Sequence, residues 1–188
     1  MLSRRTFLQA SLSVSAVPLL SPLADAQVLA TTRKILVFAE DVCPDTELFA
    51  RTVGATQIGP DPSEQLLRLQ ETLASGDYDA VFGLTRNSNQ FLVEQYAQTQ
   101  RYYPSYKGVH EYNAQGLDHR LNGDSEVVAG LVTRLAFSPA EWAATVAKSV
   151  NLICRSCALT ENQTAQTALA RPEEGPGYLV SWMFQRAS

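Results

Sequence analysis

Basic runs, long apolar spans and clusters of metal ligands are all missing from this chain of 188 residues. With no Lys/Arg run and a net charge of -4, it lacks the electrostatic footprint of a nucleic-acid binder. Its two histidines, His110 and His119, lie nine residues apart and its three cysteines show no zinc-finger spacing, so no metal ligand set is read. The motifs GxSxG, HExxH, GxGxxG and the Walker loop are also missing, as is the CxxCH of c-type haem attachment. No cofactor is therefore assigned, and the sequence leaves open whether the protein is an enzyme. Repeats, low-complexity tracts and heptads are lacking too. With 45% apolar and 18% charged residues, the composition suits a globular protein of modest surface charge.

The amino-terminal residues carry an address. Ser3-Arg4-Arg5-Thr6-Phe7-Leu8-Gln9, the weakly apolar run Ala10 to Leu20 and the small residues Ala24-Asp25-Ala26 resemble a bacterial twin-arginine (Tat) signal peptide. The run contains Pro18, with Pro22 just beyond, and falls short of the ~20 apolar residues a membrane span needs. The resemblance implies cleavage after Ala26 and export of an already folded chain to the periplasm or beyond. Residues 1–26 are then a leader and residues 27–188 a single α/β domain of 162 residues. The leader carries two cations and one anion, so its loss takes the net charge from -4 to -5.

Within the domain, Ile35 to Ala39 reads as a strand buried on both faces. Pro44 then begins a helix that runs to about Val53, with acids in its first turn. A further helix follows from Ser63 to Ala74 and stops at Gly76. Asp79 to Thr85 reads as the second strand, with Asn87 or Ser88 capping the next helix. Tyr106 to Asn113 and Leu117 to Leu121 pair as a hairpin around Ala114-Gln115-Gly116. Asp124 caps a helix carrying Val127, Val128, Leu131 and Leu135, and Ser138-Pro139 opens another through Trp142 to Ile153. Tyr178 to Phe184 is a last strand, expected at a sheet edge.

The order β-α-(α)-β-α-β-β-α-α-β gives an α/β three-layer sandwich and resembles the thioredoxin-like fold, a βαβ unit followed by a ββα unit. Here that arrangement carries an inserted helix and a C-terminal extension. The resemblance covers about residues 33–136. It rests on the strand leading into Cys43-Pro44-Asp45-Thr46, which looks like the family's active-site turn, and on Tyr103-Pro104-Ser105, which looks like its cis-proline corner. Thr46 replaces the second cysteine of the family motif, which removes ordinary dithiol chemistry.

Four groups of residues can carry function. Cys43 sits at a helix start, where partial positive charge favours a thiolate, while Glu40, Asp41 and Asp45 oppose it. Cys154 and Cys157 form a CxxC pair. In an oxidising compartment they can close on each other, or either can capture Cys43. Arg86, Asn87 and Ser88 lie at a strand's carboxyl end and a helix start, a place suited to an anion and shared with Glu40 and Asp41. In the hairpin, His110 and His119 fall opposite each other on one face, as a ligand site or as exposed polar residues. These features suggest an exported cell-envelope binding or accessory protein, non-catalytic, that holds another envelope protein or a small anionic ligand. The alternative is a periplasmic thiol-redox or redox-partner assembly protein using Cys43 and the Cys154/Cys157 pair.

Overall fold

The computed structural model describes residues 33–58, 63–114, 116–155, 161–167 and 177–187, all within one compact unit beginning at Thr32. The proposed leader, Cys157 and the segment between Thr167 and Gly177 lie outside the described residues. Among the described residues no helix is long and apolar enough to cross a membrane.

Apolar runs at Ile35–Glu40 (β1) and Ala80–Thr85 (β3) pair in parallel, and the short strand Thr56–Ile58 (β2) lies parallel on the outer side of β1. Tyr178–Arg186 (β7) returns antiparallel to β3. Beyond it come Tyr102–Asn113 (β4), Gly116–Gly123 (β5) and Glu161–Thr167 (β6), each antiparallel to its neighbour. The sheet thus runs β2-β1-β3-β7-β4-β5-β6.

Helices cover both faces. Pro44–Val53 (α1), Ser125–Phe137 (α4), Trp142–Lys148 (α5) and Val150–Ile153 (α6) pack on one face around Phe49, Phe82, Leu131 and Met183. Ser63–Ser75 (α2) and Asn87–Thr99 (α3) pack on the other around Leu69, Val81, Val93 and Trp182. The α/β three-layer sandwich expected from the sequence is therefore the architecture found.

Its interior order departs from the thioredoxin-like pattern. The helix taken as an insertion is half of a complete β-α crossover, because β2 precedes it, so the first half of the fold is β1-α1-β2-α2-β3. The last strand is central rather than at an edge and separates β3 from the β4–β5 hairpin. Leu179 to Phe184 are buried at every position, as a strand covered on both faces requires. The expected cis-proline corner is also absent, since no described peptide bond is cis and Pro104 pairs with Phe184 within β4.

A β-bulge between Pro104 and Tyr106 shifts the β4 register. The extra residue reverses the facing of the strand beyond it. Tyr102 consequently packs with α2 and α3, whereas Tyr106, four residues later, packs in the opposite layer. From Tyr106 onward the even-numbered residues of β4, including Gly108, His110 and Tyr112, face α1 and α5.

Candidate functional site

Adjacent parallel strands β1 and β3 send their following helices to opposite faces of the sheet, α1 to one and α3 to the other. Their carboxyl ends therefore diverge into a crevice at a topological switch point, the usual ligand position in open α/β sheets. Glu40 ends β1, and Arg86 follows the end of β3.

Glu40 is 1% exposed, and burial of a carboxylate demands compensation. Among the described residues, Arg86 supplies it. Its main-chain N–H donates to Glu40 Oε2 at 2.7 Å, and its Nε and Nη2 both donate to Glu40 Oε1. The guanidinium is thus oriented at the crevice, with half of the side chain still in solvent. Arg86 also takes the helix-cap position expected of Asn87 or Ser88. The first main-chain bond of α3 runs from the Gln90 N–H to the Arg86 carbonyl at 3.1 Å. The amides of Asn87, Ser88 and Asn89 therefore project from the helix start without an intrahelical partner. Asn87 and Ser88 are exposed, while Gln90 is buried and accepts from the Lys107 ammonium at 3.2 Å.

Across the crevice, Asp41 is exposed and Cys43 caps α1. Thr46 is buried, and its hydroxyl accepts from the Cys43 N–H at 3.2 Å while donating to the Cys43 carbonyl at 2.8 Å. The residue that replaces a second cysteine thus closes the helix start, as the third residue of a capping box does. Cys43 is a free, half-buried thiol whose Sγ lies 3.8 Å from Thr46 Oγ1. Cys154 is buried on the same side of the sheet, its carbonyl accepting from Arg33 Nη1 at 2.7 Å. The proposed Cys154/Cys157 disulfide falls outside the described residues.

Behind Cys43 lies a polar cluster that the sequence did not disclose. Tyr112 donates its hydroxyl to Asp45, and burial first, then this carboxylate, raise the phenol's pKa. Trp142 from α5 covers Tyr112 and His110, with ring centroids 6.5 and 4.4 Å away. Its buried indole N–H makes no hydrogen bond, although it lies near enough to the phenol to favour ionisation.

His110 and His119 pair directly across the hairpin, as their spacing about the turn implies, with Nδ1 atoms 2.7 Å apart. Both residues are 0% exposed, so the pair lies in the interior and not among exposed polar residues of the hairpin. His110 Nε2 reaches Ser181 Oγ at 2.8 Å, and Ser181 Oγ reaches Tyr106 Oη at 3.0 Å. The result is an interior hydrogen-bonded chain. Gly108 leaves room for it, because a Cβ there would sit 2.6 Å from Ser181 Oγ and 2.7 Å from Tyr106 Oη. Burial lowers both imidazole pKa values. That of His110 falls well below the usual range with help from neighbouring His119, and that of His119 falls to about 4 against the pull of Asp118. Both rings are therefore neutral near pH 7, and one Nδ1–H donates to the other Nδ1.

Among the described residues no group of three or more His, Cys, Asp or Glu is placed to hold a metal ion. The arrangement offers an oriented cation, three helix-start amides and a free carboxylate at one crevice, with a thiol on its far side. Comparison with protein-family models, curated proteins and solved structures gives no match to this chain.

Proposed function

We propose that this is an exported cell-envelope binding or accessory protein that takes a small anionic ligand at the crevice between β1 and β3. The observation that carries this reading is the buried Glu40 holding Arg86 at the start of α3, so that a guanidinium and the amides of Asn87 to Asn89 serve one anion. Asp41 adds an exposed carboxylate at the neighbouring strand end. It disfavours a bare dianion and favours a ligand that also carries an amine or hydroxyl. The twin-arginine leader, which directs a folded chain outward, supports a site of action in the envelope.

Calorimetry with phosphoethanolamine, using phosphate and ethanolamine as controls for its two ends, tests this reading. Arg86→Gln should weaken phosphoethanolamine and phosphate binding about tenfold, or ~1.4 kcal/mol. Asp41→Asn should weaken only phosphoethanolamine. Saturable binding that is indifferent to Arg86 would contradict the reading.

A second reading, thiol exchange, is favoured by the free Cys43 thiol at the start of α1. It predicts that Cys43 alkylates faster than a model thiol near neutral pH, with Cys154 and Cys157 recovered as a disulfide by mass mapping. Three slow, reduced thiols would remove it.

A further inference from the structure

At the opposite end of the sheet, where β1 begins and β7 ends, a cleft of about 570 Å³ is lined by Arg33, Asp79, Tyr103, Pro104, Ser105 and Arg186, among others. That volume is in the range of small-molecule sites. Two cations border the cleft. Arg33 Nη1 donates to the Cys154 carbonyl at 2.7 Å and to Gln185 Oε1 at 2.9 Å. Arg186, next to Gln185 in β7 and so directed to the α2–α3 face, donates Nη1 to the Gly76 carbonyl at 2.7 Å there. Gly76 permits this approach, since a Cβ there would sit 2.7 Å from Arg186 Nη1. A guanidinium carries five N–H donors, so Nη1 contacts hold each one in place while donors remain. The acid in the wall is already engaged, because Asp79 Oδ2 accepts from the Lys34 N–H at 2.8 Å.

The other wall carries Tyr103, Pro104 and Ser105. The bulge in β4 falls here, between Pro104 and Tyr106, and Tyr103 beside it is 54% exposed. Bulges re-aim side chains and gather next to binding sites. Ser105, at the bulge, is held by Gln185 Nε2 at 2.9 Å. A held guanidinium, Arg33, on the same face of the sheet as the exposed Tyr103 ring suits one ligand chemistry. An inorganic anion would leave the ring unused, and a neutral aromatic would leave the cation unused.

We propose that this cleft is a second ligand site, distinct from the crevice at Arg86, for a small aromatic carboxylate. Its carboxylate is taken by Arg33, and its ring lies against Tyr103. Benzoate is the probe, titrated into the full chain and followed by calorimetry, with phosphate and benzyl alcohol as controls for charge and ring alone. Benzoate should bind at least about tenfold tighter than either control. Tyr103→Ala, at an exposed position and so compatible with folding, and Arg33→Gln should each weaken benzoate about tenfold. Arg68→Gln, at an exposed cation on α2, should leave it unchanged. The proposal is overturned by an absence of saturable benzoate binding, by phosphate binding as tightly, by no effect of Tyr103→Ala, or by equal loss in Arg68→Gln.

Discussion

Gly83 and Trp182 face one another across β3 and β7, and the indole occupies the space a side chain at 83 would need. A Cβ there would lie 2.3 Å from Trp182 Cζ2, and the ring cannot retreat because its N–H donates to Thr85 Oγ1 at 3.0 Å. Gly83→Ala should therefore destabilise the fold by ~1–3 kcal/mol in urea unfolding, as overpacking of a buried site does. An unchanged midpoint would mean that the two strands separate more freely than this packing implies. At this scale, the sequence disclosed positions better than partnerships. Cys43 and Arg86 were legible because each follows an apolar strand and begins a helix. The burial of Glu40 was not, because its partner lies 46 residues away and only parallel pairing brings the two together. Thr46 likewise reads as the loss of a cysteine until its hydroxyl is seen closing the helix start.

The hairpin shows how an element gives a residue its chemistry. Pairing about Ala114 sets His110 opposite His119, which the sequence discloses. Their burial depends on Trp142 and Ser181 from distant elements, which it does not. Because burial lowers both folded-state pKa values below the ordinary 6.5, the unfolded chain binds more protons than the native one once pH falls below that value. Stability contributed by the neutral pair is complete above about pH 6.5 and declines as pH falls towards about 4, the folded value for His119. His119→Gln, which cannot titrate, should flatten the stability profile across that window by up to about one proton, measured by urea unfolding at successive pH values. An identical slope in the variant would show that His119 is already protonated in the fold. Strands β2 and β6 escaped the sequence reading for different reasons. The first has only three residues, and the second, Glu161-Asn162-Gln163-Thr164-Ala165-Gln166-Thr167, lacks apolar alternation. The continuous apolar run of β7 is that of a strand covered on both faces, although the sequence reading placed it at an edge.

For the whole molecule, the layered architecture was legible because alternating strand and helix patterns admit few arrangements. The strand order was not, since β7 enters the sheet between elements that are consecutive in sequence. That order matters for function, because it leaves the divergence of α1 and α3 between β1 and β3 as the place where Glu40, Arg86, Asp41 and Cys43 are gathered. The proposed export belongs to this scale as well. Replacing Arg4 and Arg5 together by Lys should hold the chain, unprocessed, in the cytoplasmic fraction of a bacterial host, and normal processing of that variant would contradict a twin-arginine route.

The crevice itself is tested most directly by amide chemical-shift mapping of the full chain during titration with phosphoethanolamine. Saturable shifts should centre on the amides of Asn87, Ser88 and Asn89 and on Arg86 Nε, and should vanish in Arg86→Gln. Amides at the start of α3 that stay unmoved would contradict the assignment of this crevice as the binding site.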